Sequence, residues 1–189
     1  MTDEPKLRAF VAFELDERLR AAIAAIQDRF RALAGLRLVR PEGVHLTLRF
    51  LGWSTRPQLE TLAPRLAAAA SACAPFEASV CGLGTFPERG APRVLWLGVA
   101  LPPAVLELQR SCERAARDAG FEAEERAFAP HLTLGRFRER VPRPRLDAVD
   151  LGTTRIDTLV LFRSVPQRDG SVYTPLLRLA LGGYTPRIP

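Results

Sequence analysis

His45-Leu46-Thr47-Leu48 and His131-Leu132-Thr133-Leu134 are one tetrapeptide written twice, and together they hold both histidines of the 189-residue chain. They lie 86 residues apart, close to half its length. A repeat at this spacing points to a fold built from two copies of one unit, each presenting its histidine in the same way. Alternate side chains of a strand share a face, so His45 projects with Thr47 and His131 with Thr133. Leu46 and Leu48, like Leu132 and Leu134, project oppositely into a core. Two such strands across a cleft bring together two imidazoles and two hydroxyls. Imidazole titrates near neutrality, so the pair supplies an acid and a base, and the hydroxyls can hold the oxygens of a pentacoordinate phosphate.

A single His-x-Thr on a strand is ordinarily a half-buried histidine, and only the doubling makes it chemistry. Imidazole also suits zinc, but neither motif has a carboxylate or cysteine at ligand spacing, so no metal and no cofactor is expected. Cys73, Cys81 and Cys112 are odd in number and lack metal-ligand spacing; Cys112 falls on a helical stripe and reads as a buried thiol rather than a nucleophile. The chain carries a formal charge of +6, and Lys6 is its only lysine. Such arginine excess reads as a coding bias with a solvated surface, or as attraction of an anion by guanidinium forks suited to phosphate. Beside a histidine pair the second reading gains. No apolar run has the length of a membrane span, and Met1 to Lys6 lacks the layout of a secretion signal. A cytoplasmic monomer is expected.

Residues 7–15 read as a first strand, followed by a helix capped by Asp16 with Leu19, Ile23, Ile26, Phe30 and Leu33 on its inner stripe up to Gly35. A turn through Arg40-Pro41-Glu42-Gly43 leads into the strand Val44–Leu51. Ser54 or Thr55 caps a second helix with Leu59, Leu62 and Leu66 inward, which Pro64 should kink or shorten. Strands follow at Phe76–Leu83 and Val94–Val99. A third helix after Pro102-Pro103 buries Val105, Leu108, Cys112, Ala116 and Ala119, and Gly120 stops it. The second motif strand spans about Ala129 to Phe137, with further strands near Arg155–Phe162 and Val172–Leu181. Pro142, Pro144 and Pro166 fall in connections. The late strands lack intervening helices, which disfavours regular parallel crossovers. The expectation is an α+β, two-lobed protein of two mainly antiparallel sheets with helices on their outer faces.

The runs His45-Leu46-Thr47-Leu48-Arg49-Phe50-Leu51-Gly52 and Phe128-Ala129-Pro130-His131-Leu132-Thr133-Leu134-Gly135-Arg136 resemble the 2H phosphoesterase superfamily. Within it the likeness is closest to the bacterial and archaeal RNA 2′,3′-cyclic phosphodiesterases, also described as 2′-5′ RNA ligases. Phe10-Val11-Ala12-Phe13-Glu14-Leu15, Gly84-Thr85-Phe86-Pro87, Val94-Leu95-Trp96-Leu97-Gly98-Val99, Leu161-Phe162-Arg163-Ser164 and Gly170-Ser171-Val172-Tyr173 extend it across nearly the whole chain. The resemblance implies one domain, residues 1–189, of two pseudo-symmetric lobes, with one motif each (45–48 and 131–134) and a central cleft between them. It implies metal-independent hydrolysis of a 2′,3′-cyclic phosphate on RNA ends or small nucleotides to a 2′-phosphomonoester. His45 would be the proton donor and His131 the acceptor, with Thr47 and Thr133 steadying the phosphate. Many relatives place a tryptophan shortly before the first motif, where this chain has Leu38-Val39-Arg40-Pro41.

Phe50 and Arg136 each follow their histidine by five residues. Strict alternation puts both on the face opposite the imidazoles. The resemblance instead places them against nucleobase and phosphate as substrate-binding residues, which a bulge near Gly135 would permit. Two rivals remain open: reversible 2′-5′ RNA ligation at the same site, and a noncatalytic nucleotide- or RNA-binding module. No nucleotide-activating lysine motif exists for ATP-dependent ligation. One imidazole acting neutral and one protonated predicts a bell-shaped kcat/KM with limbs within about two units of neutrality.

Overall fold

The computed structural model describes residues 6–168 and 170–183; Met1 to Pro5 of the N-terminal reading lie outside the described residues. β1 (Leu7–Phe13) leads to α1 (Glu17–Asp28) and β2 (Leu36–Leu38), then to β3 (Leu46–Ser54) and α2 (Arg56–Ser71). β4 (Phe76–Phe86), β5 (Val94–Ala100), α3 (Pro103–Asp118) and β6 (His131–Phe137) follow. β7 (Asp150–Ile156), β8 (Thr158–Gln167) and β9 (Gly170–Ala180) complete the order. Local signals in the sequence set the helix ends. The Asp16 carboxylate accepts from the Leu19 amide at 2.6 Å, and Thr55 and Gln58 form a reciprocal capping box. Gly120 ends α3 with φ +82°.

The strands pair antiparallel in the order β7-β4-β5-β6-β3-β1-β8-β9, with β2 alongside β6. The two expected sheets are therefore one. They meet at a single residue pair, Leu46 with Leu132, each immediately after its motif histidine. The short β2, absent from the sequence reading, explains why the join is so small. Its residues Leu36, Arg37 and Leu38 occupy the edge of β6 at Phe137, Arg136 and Gly135, where β3 would otherwise continue. A Cβ on Gly135 would sit 2.9 Å from the Arg37 carbonyl oxygen, so the approach of β2 requires glycine there.

Leu46, Leu48, Leu132 and Leu134 are all buried, as the alternation required. Val105, Leu108, Cys112, Ala116 and Ala119 line the inner face of α3. Burial pushes the Cys112 thiol up to about 12, which makes it a packing group rather than a nucleophile. Three expectations need correction. α2 runs unbroken through Pro64, because that residue faces solvent while Leu62 and Leu66 stay buried, and water can satisfy the carbonyl that proline leaves unpaired. The strand expected near Arg155–Phe162 is two: β7 at one edge of the sheet and β8 next to the opposite edge strand, β9. Pro166 lies inside β8 rather than in a connection; it pairs with Ser171 near the hairpin end, past the reach of β1. No helix among the described residues is long and apolar enough to cross a membrane.

Candidate active site

The register Leu46 opposite Leu132 brings His45 level with Thr133 and His131 level with Thr47. Each histidine is thereby set beside the threonine of the other motif. Both imidazoles are anchored identically. His45 Nδ1 lies 2.7 Å from the Gly43 carbonyl oxygen, and His131 Nδ1 lies 2.7 Å from that of Ala129. A carbonyl only accepts, so Nδ1 carries the proton in both rings and Nε2 is left for chemistry.

Strict alternation fails one step beyond each threonine, and it fails in the same way twice. On β3, Ala12 of β1 pairs with Thr47 but Val11 pairs with Arg49, leaving Leu48 as an extra residue. On β6, Trp96 of β5 pairs with Thr133 but Leu95 pairs with Gly135, leaving Leu134 extra. Each bulge turns two successive residues away from the cleft, and the next side chain returns to it. Phe50 and Arg136 therefore share the face of the histidines, against the parity argument. The braces of the second bulge are visible: the Leu134 carbonyl accepts from the Val39 amide at 2.8 Å and from the buried Gln27 amide nitrogen at 2.9 Å.

All six residues named from the sequence (His45, Thr47, Phe50, His131, Thr133 and Arg136) line one cleft of about 460 Å³. Others were missed. Phe10 packs against His45 at 4.5 Å between ring centroids, and Tyr173 meets it edge-on at 4.9 Å. Phe86 meets His131 edge-on at 5.1 Å. Their strands were legible, but nothing in their spacing tied them to a histidine. Arg49, turned inward by the first bulge, forms an ion pair with Glu113 and donates to the Phe50 and Glu122 carbonyls. Glu113 also accepts from the Glu124 amide at 3.2 Å, so the pair pins the segment carrying Glu124, Arg126 and Phe128 along the cleft rim.

Burial pushes the His45 imidazole down to about 4; the Gly43 hydrogen bond opposes the fall, and the charges of Arg136 and His131 add to it. His131 is also lowered, again chiefly by burial, with its Ala129 hydrogen bond opposing and Arg136 contributing. The charge of one guanidinium thus acts on both rings.

A sequence model described as LigT like Phosphoesterase matches residues 13–96 and 99–173. The chain belongs to this family. An RNA 2′,3′-cyclic phosphodiesterase of Methanothermobacter thermautotrophicus is 36% identical over 181 residues, covering 90% of this chain and 97% of the relative. One from Thermus thermophilus is 35% identical over 192 residues, covering 94% of this chain and 91% of the relative. The crystal structure of TT0787 of Thermus thermophilus matches with a TM-score of 0.84 at 31% identity, over 95% of this chain and 100% of that one. E. coli LigT complexed with 3′-AMP matches with a TM-score of 0.80 at 27% identity, over 93% and 98% of the two chains.

Proposed function

We propose that this protein hydrolyses the 2′,3′-cyclic phosphate of RNA ends or nucleotides to a 2′-phosphomonoester, with His45 as general acid, His131 as general base and no metal ion. One chain acting in the cytoplasm suffices, since its two pseudo-symmetric lobes, read as one domain over residues 1–189, supply one motif each. The observation that carries the reading is the matched anchoring of the two rings, each tied through Nδ1 to the carbonyl two residues earlier. It leaves two Nε2 atoms free in one cleft with two threonines and one arginine. The relatives named as RNA 2′,3′-cyclic phosphodiesterases support the substrate, as does the nucleotide carried by E. coli LigT.

His131 Nε2 takes a proton from water as the water oxygen attacks phosphorus. The P–O3′ bond breaks opposite the attack, and the protonated Nε2 of His45 gives its proton to O3′. The products are a 2′-phosphomonoester and a 3′-hydroxyl, and solvent restores the two protonation states. Thr47 and Thr133 donate to nonbridging oxygens whose charge grows in the transition state. Arg136 pairs with the phosphate and Phe50 packs on the nucleoside.

The unequal burial of the rings supports the assignment of roles. A proton held on His45, in its Phe10 and Tyr173 cradle, is a strong acid that a nearby phosphate anion makes affordable only in the complex. His131 is the more exposed ring, as a base that takes its proton from water requires. Incubating chelator-treated protein with a 2′,3′-cyclic nucleotide and reading the products by phosphorus NMR tests the reading. The expected product is the 2′-phosphate alone. A 3′-phosphate, no turnover, or turnover only with an added divalent ion would overturn it.

A further inference from the structure

The cleft-facing run of β3 does not stop at Phe50. A second irregularity, at Leu51 and Gly52, separates the Phe10–Phe50 pair from the Ala9–Gly52 pair, and Gly52 takes φ +71° there. Ala12, Phe10 and Arg8 alternate regularly on β1, and they stand opposite Thr47, Phe50 and Trp53. Residues directly opposite in an antiparallel pair share a face, so the two bulges hold Thr47, Phe50 and Trp53 on the side of the catalytic histidines. Without the second bulge Trp53 would point to the other side of the sheet.

Trp53 is 65% exposed and Phe50 46% exposed, and Arg8 opposite Trp53 is exposed too. Isolated exposed apolar side chains are ordinary on protein surfaces. These two are not isolated: they follow one another along one strand face, continuous with the cleft and flanked by a guanidinium. Aromatic faces in sequence beside a cation are what a single-stranded nucleic acid uses, its bases stacking and its phosphate paired.

We propose that Phe50, Trp53 and Arg8 form a track for the RNA strand leading away from the cyclic end, so that the protein acts on oligoribonucleotide 3′ ends in preference to cyclic mononucleotides. Phe50 takes the terminal nucleoside, Trp53 stacks the next exposed base, and Arg8 pairs with a phosphate of the strand. This rests on the proposed hydrolysis and names the substrate class of the same cleft.

The test compares kcat/KM for a cyclic mononucleotide and for a short single-stranded RNA ending in a 2′,3′-cyclic phosphate. The wild type is expected to favour the RNA by about 5- to 150-fold, the range of one stacked base. Trp53→Ala should abolish that preference while changing mononucleotide turnover less than twofold, and Trp53→Phe should keep most of it. Arg8→Gln should weaken the preference and flatten its salt dependence. Equal rates for the two substrates in the wild type, or a preference untouched by Trp53→Ala, would overturn the track and leave the hydrolysis standing. Absence of turnover on both would overturn the hydrolysis, and the track is then decided by fluorescence. A single-stranded RNA should quench the emission of the wild type but not that of Trp53→Phe, which retains only Trp96; equal quenching of both would overturn the track.

Discussion

The two motif strands carry the same four residues, yet their histidines sit in different surroundings. His45 is sealed by Phe10, Phe162 and Tyr173 from the half of the sheet that holds β1, β8 and β9. Among the described residues, the ring contact of His131 is the edge of Phe86. Five residues after each histidine the copies diverge outright: Phe50 in one, Arg136 in the other. The backbone is the same in both, down to the bulge after the threonine and the Nδ1 anchor. The repeated strand keeps one backbone geometry, and the differing neighbours give the two rings unequal burial and the two outer positions different side chains.

Removing either imidazole breaks the comparison most severely. His45→Ala and His131→Ala should each lower turnover by about 10²–10⁴, with the double variant losing far less than the product of the two. Turnover near wild type in either folded variant would refute the two-histidine mechanism. Next come the hydroxyls. Thr47→Ala and Thr133→Ala should each cost about 10²–10³ in kcat with little change in KM, as for the loss of one transition-state donor. An effect on KM alone would reassign them to uniform binding.

Arg136 and Phe50 sharpen the contrast between the halves. Arg136→Ala should raise KM about tenfold and move both limbs of the pH profile upward, since its charge depresses both rings. Phe50→Ala should raise KM a few-fold and leave the pH profile in place. Titration in kcat/KM reports the free protein, where burial lowers both imidazoles. The bell should therefore lie to the acid side of neutrality, lower than free imidazoles would give, and the kcat profile should sit higher because bound phosphate favours the charged rings. A kcat/KM bell centred on or above pH 7 would contradict the burial of the pair.

The smallest effect is on stability. The folded protein resists protonating His45 and the unfolded chain does not, so unfolding takes up a proton in that window. Stability should be complete above about pH 6.5, the unfolded value, and decline as pH falls toward about 4, where His45 titrates in the folded state. Thermal denaturation of wild type and His45→Phe across that range checks it; a slope unchanged by the substitution would assign the loss to other groups.

The elements and the pairing of histidine with threonine were legible because both rest on local rules: strand alternation, the Asp16 cap, the Gly120 stop and the inner stripe of α3. What escaped was set by contacts distant in sequence. The bulges at Leu48 and Leu134 follow from how neighbouring strands fit, and no composition rule announces an extra residue; Gly135 hinted at one of them. Phe10, Phe86 and Tyr173 read as ordinary core or strand residues until three separate strands converge on the imidazoles. The Arg49–Glu113 pair joins β3 to α3 across 64 residues of sequence, and only the bulge turns that arginine inward.

β6 is fastened along both edges: β5 pairs with it from His131 to Arg136, while β3 at Leu132 and β2 at Gly135, Arg136 and Phe137 share the other side. His131, Thr133 and Arg136 therefore ride on one clamped plank, and their spacing is set by backbone with no slack on either side. A ligand that meets His131 and Arg136 meets them at a fixed separation, like two marks on one ruler.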